Sequence, residues 1–144
     1  MDRWTLRFKK LQPDAQAPLK SHPGDLGFDL FSTINLVIAP HQRGMVKTGI
    51  AVGFPENVGG ILKDRSGLAS KLGLHVLAGV IDSTYTGEII VVMLNTGMVP
   101  VQIDKGDKVA QLLILPVFQV SNLIEVEDLG TTDRGADGFG STGK

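Results

Sequence analysis

Apolar and polar positions along this chain alternate in short blocks, cut by glycine and proline at intervals too short for long helices. Residues 3–11 place Trp4, Leu6 and Phe8 on one parity with charged residues between them, the period-two pattern of a half-buried strand. Pro13 and Pro18 then keep the connection irregular. Past Pro23, Leu26, Phe28 and Leu30 share one face and Asp29 points to the other. Further strands are predicted over residues 36–38, 45–54 and 58–62, the regular spacing of an all-β sandwich or barrel. Only residues 66–72 gather good helix formers, and Gly73 stops them within two turns.

Residues 78–88 carry an apolar pair, Val80-Ile81, then a polar turn containing Asp82 and Tyr85, before the apolar run of residues 89–94. The pattern reads as a β-hairpin with Gly79 and Gly87 at its shoulders. The run itself, Ile-Ile-Val-Val-Met-Leu, is apolar on both parities, so it predicts a strand covered on both faces by another sheet or a second subunit. Residues 109–117 behave similarly except for Gln111, whose amide needs hydrogen-bond partners in such a strand. From residue 130 onward the chain has five glycines and one aromatic, Phe139, too little apolar surface to stay ordered unaided. The expected organisation is a single β domain over residues 1–129 followed by a flexible glycine-rich arm over residues 130–144.

Composition narrows the classes. Glycine makes up 18 of 144 residues, against about 7% on average, which fits abundant turns. The net charge of −1 with dispersed Lys and Arg argues against a nucleic-acid polymer as partner. No apolar run approaches the roughly 20 residues that span a bilayer, and residues 1–4 lack the apolar core of a secretory signal. Without cysteine, neither disulfide nor thiol chemistry enters, and the three histidines have no metal-ligand spacing. A cytoplasmic setting is the default reading, or host cytoplasm, nucleus or virion for a viral chain.

Three stretches carry candidate chemistry. Asp82 and Tyr85 lie three residues apart on a turn held by strands, a rigid mount for a small-molecule site. Arg65, Ser66 and Gly67 sit where a strand runs into the short helix, so a guanidinium, a hydroxyl and helix-start N–H groups could face one anion. In residues 134–143 the glycines let backbone amides turn toward phosphates, Arg134, Ser141 and Thr142 add charge and hydroxyls, and Phe139 can stack on one base. Phosphate binders with a stacking aromatic imply a nucleotide.

Five segments in fixed order resemble the five motifs of the trimeric deoxyuridine triphosphatases (dUTPases). They are Gly-Phe-Asp-Leu-Phe-Ser at 27–32, Arg-Ser-Gly-Leu-Ala at 65–69, Gly-Val-Ile-Asp at 79–82 with Tyr85 and Gly87, Gly-Asp-Lys-Val-Ala-Gln-Leu at 106–112, and residues 134–143. The resemblance implies a distorted jelly-roll, β-clip type barrel, and a homotrimer whose active sites are shared between subunits. It implies hydrolysis of dUTP to dUMP and pyrophosphate, which limits uracil incorporation into DNA. Asp82 matches the base that deprotonates the attacking water, a task suited to a carboxylate ionised at neutral pH. Tyr85 matches the aromatic under the deoxyribose, and backbone around Val76 to Val80, with Gly79, would read the uracil edge. Arg65, Ser66, Gly67 and Gln111 match phosphate binders. Gly138, Phe139, Ser141 and Thr142 match the closing arm, together with Arg134. Asp29 matches the acid that holds water on a Mg²⁺ chelated by the three phosphates.

Three positions depart from that pattern. Asp64 stands where the second motif usually has proline, adding negative charge beside Arg65; Thr84 replaces a common acid, and Asp137 replaces a glycine. dCTP deaminases resemble the third motif too, but place a glutamate five residues after the closing glycine, where this chain has Val92. A role as a dUTP-binding regulator acting through a protein partner, taken on by some viral and phage members, is compatible with the motifs as an addition to catalysis.

Overall fold

The computed structural model describes residues 5–136. Its strands pair antiparallel into two four-stranded sheets and one two-stranded sheet. The first sheet is ordered β1 (Arg7–Lys10), β4 (Arg43–Gly53), β8 (Glu88–Asn95) and β6 (Leu74–Leu77). The second is ordered β2 (Gly27–Phe31), β10 (Lys108–Pro116), β5 (Val58–Lys63) and β7 (Val80–Ile81), while β3 (Leu36–Ile38) pairs with β9 (Val101–Ile103). A single helix, α1 (Ser66–Leu72), leaves β5 and ends at Gly73, which takes the left-handed conformation that closes a helix end. The expected all-β character and the helix position are met. The sheets are open rather than closed into a barrel, since β1 and β6 bound the first and β2 and β7 the second.

The period-two pattern explains the core. On β8, Ile89, Val91 and Met93 are fully buried while Ile90, Val92 and Leu94 are half-buried. Buried residues from the two sheets, among them Leu30, Ile50, Val58, Leu74, Val109 and Leu112, join this row in one cluster. The two polar groups most deeply placed are satisfied: Thr48 Oγ1 donates to the Ile89 carbonyl at 2.6 Å, and Asn95 Nδ2 donates to the carbonyls of Ile38 and Val99.

Two expectations are corrected. Of the strand expected over residues 3–11, Leu6 packs against the core, but β1 itself is exposed throughout, with Phe8 48% accessible, because it is the outer strand of its sheet and no described residue covers its second face; Trp4 lies outside the described residues. Within one chain, strand β8 is fully covered on one face and half-buried on the other, where the expectation had allowed a second subunit. Finally, residues 78–88 do not form a simple hairpin. Strand β7 pairs with β5 in the second sheet, whereas β8 pairs with β6 and β4 in the first. The chain therefore leaves one sheet after Leu77, makes a short edge strand on the other, and returns. Ala78 and Gly79 turn it there with φ of 58° and 104°, and a side chain at Gly79 would meet the Leu62 carbonyl at 3.0 Å. Glycine at 79 is thus required by positive φ and by close approach to β5 together.

Candidate active site

Strands β2, β10 and β5 carry Asp29, Gln111 and Lys63 at directly opposed positions, so these three share one cross-strand row. Beyond Lys63 the chain turns into α1, which brings Arg65, Ser66 and Gly67 to the end of that row. The result is a cleft of about 330 Å³ lined by Asp29, Arg65, Ser66, Gly67 and Gln111, together with Ser21 and Asp25 from the preceding loop. Five residues expected from sequence to meet at phosphates or a metal are thereby brought together.

Electrostatics inside the cleft are tightly coupled. Asp29 accepts from Arg65 Nε at 3.2 Å and from Ser21 Oγ at 3.1 Å, and pairs with Lys108 Nζ at 2.8 Å. Burial alone would raise the Asp29 pKa, but the Lys108 hydrogen bond, the Arg65 charge and the Ser21 hydroxyl outweigh it and hold it below the ordinary value. Arg65 uses Nε for this pair, which leaves its Nη groups to bind an anion. No side chain caps the start of α1 and no acid lies in its first turn, so its first N–H groups are left to a ligand. A side chain at Gly67 would meet nothing within 4 Å, consistent with open space on the cleft side.

Gln111 finds the partner its position demanded. Its Nε2 donates to the Asp64 carbonyl at 2.8 Å, and it packs so closely on Gly27 that a Cβ there would fall 2.8 Å from both Cβ and Oε1 of Gln111. Asp64 does not face Arg65, as its place in the sequence had implied. Its carboxylate turns to β6, accepting the Val76 N–H at 2.6 Å and meeting His75 Nδ1 at 2.7 Å. Here too burial raises the pKa, but the His75 and Val76 hydrogen bonds and the charges of His75 and Lys63 win, lowering it.

Asp82 is in a different place. It is exposed and lines a second cleft, of about 690 Å³, with Val80, Thr84, residues 59–61 of β5 and residues 115–119. The two clefts share no lining residue and flank opposite ends of the β5–β10 pair. Asp82 and Tyr85 form one β-turn, closed by the Tyr85 N–H on the Asp82 carbonyl at 3.0 Å. Tyr85 then folds back on Gly87, where a Cβ would lie 2.6 Å from its hydroxyl, and donates to the Glu88 carbonyl at 2.9 Å. In the stretch expected to read a base edge, the Val76 N–H already serves Asp64 and the Gly79 carbonyl accepts from Leu62 N–H. The expectation for residues 76–80 therefore rests on their other backbone groups.

Two partners of Asp29 escaped the sequence reading. Lys108 lay inside a quoted motif without a role; a register shift between Lys108 and Ala110 on β2 brings its ammonium to Asp29, and such a bulge leaves no trace in apolar periodicity. Ser21 sits in an irregular loop that gave no signal at all. Arg134 belongs to an exposed segment without strand or helix, and Gly138, Phe139, Ser141 and Thr142 lie outside the described residues, as does Asp137.

Among the described residues no group of three or more acidic or histidine side chains is placed to hold a metal ion, and Asp29 is already shared by two cations. No helix among the described residues is long and apolar enough to cross a membrane.

Comparison with known proteins gives the family. The dUTPase family model matches residues 13–143. A deoxyuridine 5'-triphosphate nucleotidohydrolase from Clostridium tetani is 44% identical, over 100% of both chains, and one from Thermobifida fusca is 43% identical over 96% of this chain and 78% of that one. Among solved structures, a variant of the Staphylococcus bacteriophage 80alpha dUTPase with dUpNHpp superposes with a TM-score of 0.90 at 30% identity, over 97% of this chain and 99% of that one. A variant of the dUTPase from phage phi11 of S. aureus, described as coordinating a structural Mg(II) ion, gives a TM-score of 0.81 at 30% identity, over 88% and 99%.

Proposed function

This chain belongs to the dUTPase family and hydrolyses dUTP, and we propose that it does so with Asp82 as general base in a site completed only by assembly. The observation that carries the residue assignment is the single cleft uniting Arg65, Ser66, Gly67 and Gln111, a cation, a hydroxyl, helix-start N–H groups and an amide around one space. Such a set binds a triphosphate. In the reaction, Asp82 takes a proton from water, the water oxygen bonds to the α-phosphorus, and the bond from that phosphorus to the bridging oxygen breaks. Pyrophosphate leaves and dUMP remains.

Tyr85, pinned on Gly87 by its hydrogen bond to Glu88, presents a fixed ring for the deoxyribose. Residues 76–80, including Gly79 and Val80, read the uracil edge through fixed backbone partners; cytosine reverses donor and acceptor there and leaves groups unpaired. Arg134, Gly138, Phe139, Ser141 and Thr142 belong to an arm over residues 130–144 that closes on the nucleotide, shutting out competing water.

Magnesium enters as part of the substrate, chelated by the phosphates. Asp29 reaches that ion only through water, and its pairs with Arg65 and Lys108 must open or be shared for it to do so.

A homotrimer with shared sites accounts for two observations. The phosphate cleft and Asp82 sit at opposite ends of β5, separated by about 13 Å of extended strand from Lys63 to Gly59, too far for one triphosphate's grip and attack in the same chain. Residues 117–129 expose Phe118, Val120, Leu123, Ile124 and Leu129 at 76–98%, apolar surface that a second copy would cover. The substrate belongs to the nucleotide precursor pool, so we place the protein in the cytoplasm of a cell or host.

A panel of dUTP, dCTP, dTTP and UTP with Mg²⁺, read by pyrophosphate release, tests the reading. Turnover confined to dUTP is expected; ammonia release from dCTP would overturn it in favour of a deaminase, and tight dUTP binding without turnover in favour of a binding protein.

A further inference from the structure

Asp64 touches three elements at once. Its carboxylate grips the free edge of β6 through the Val76 N–H and His75, and its main-chain carbonyl holds the Gln111 amide on β10, while the residue itself links β5 to α1. The half-buried carboxylate, 25% accessible against 52% for His75, ties the second sheet to the edge strand of the first.

The consequence falls on Gln111. With Nε2 on a carbonyl, the amide is held in one orientation, because a flipped amide would set its oxygen against the Asp64 oxygen. The NH₂ group has two hydrogens, so one serves Asp64 and the other remains for the cleft. Its Oε1 lies beside Gly27. The orientation therefore depends on where the Asp64 carbonyl lies, and the grip on β6 determines that.

We propose that Asp64 is a positioning residue for phosphate recognition: by anchoring the β5–α1 junction on β6, it keeps the Gln111 amide presenting an N–H to the substrate's phosphates. The proposal rests on the phosphate-binding role given to Gln111 above, and it turns an apparent liability, a negative charge next to Arg65, into a device that faces away from the anion.

The test is a double-mutant cycle in the full-length protein, with KM and kcat for dUTP and a thermal melt for each variant. Asp64→Ala is expected to raise KM about tenfold, a loss of roughly one charge-assisted hydrogen bond, with kcat changed far less. Asp64→Asn, which keeps an acceptor for the Val76 N–H, should restore most of the affinity. In a Gln111→Ala background the Asp64→Ala effect on KM should vanish, since a residue acting through another loses its leverage when that one is removed. If Asp64→Ala does not fold, Asp64→Ser, polar but too short to reach β6, takes its place in the cycle. Additive KM effects, or a lowered melting temperature with unchanged KM, would overturn the proposal while leaving the role of Gln111 intact. An unchanged KM in Gln111→Ala alone would overturn that role and this proposal with it.

Discussion

Asp82 and Tyr85 illustrate how little of a residue's role is written in its own side chain. Both lie on one exposed β-turn, and only the glycines beside them betray constraint: Gly79 by its positive φ, Gly87 by the tyrosine hydroxyl lying where its Cβ would be. If Asp82 is the base, Asp82→Asn should lower kcat by about 10²–10⁴ while leaving nucleotide binding largely intact, because the amide keeps shape and loses proton affinity. Single-turnover pyrophosphate release beside equilibrium binding of dUpNHpp measures both, and near-normal kcat would remove the assignment. Gln111 was legible as a polar residue in need of partners. That its partner is a main-chain carbonyl at residue 64 was not, since 47 residues separate them and no local period connects them.

At the scale of elements, periodicity located β3 and α1 to the residue and most other strands to within a few. It failed where tertiary pairing decides. Two apolar blocks flanking a polar turn predict a hairpin, but whether they pair with each other or with different sheets depends on the third dimension; here β7 joins β5 and β8 joins β6. The segment over residues 130–144, proposed as a closing arm, is the other case. Removal of residues 130–144 should leave the assembled β domain intact, because the core cluster ends with β10, and should reduce kcat/KM sharply by leaving the phosphates uncovered. Sedimentation and steady-state kinetics on the truncated chain check both halves; unchanged turnover would reduce the arm to a tail.

For the molecule as a whole, two lowered carboxyl pKa values tie stability to pH. Asp29 and Asp64 both titrate below the ordinary 3.8 in the folded state. A carboxyl with a depressed folded pKa stabilises the fold above its unfolded value, and the contribution is lost as pH falls through the folded one. Urea midpoints should therefore show no loss from these two groups between about pH 7 and pH 5 and a decline below about pH 4, with a shallower decline in Asp29→Asn. An unaltered acid slope in that variant would show that the Arg65 and Lys108 pairs contribute nothing beyond the cost of burying the Asp29 charge. The same scale holds the reason we propose assembly: one chain places the cleft of Arg65, Ser66 and Gln111 and the residue Asp82 at opposite ends of a strand pair.

The linear order of residues was enough, by itself, to determine the all-β class, the short helix at residues 66–72 and the family, because alternation, turn residues and five ordered motifs are local properties of a chain. It also singled out Asp82 and Gln111. Only the tertiary structure decided that residues 78–88 pass from one sheet to the other, that Lys108 and Ser21 join Asp29, that Asp64 turns its charge from Arg65 toward β6, and that Asp82 stands apart from the phosphate cleft. Each of these depends on pairing between strands distant in sequence or on a bulge that shifts register, and neither leaves a period in the sequence to read.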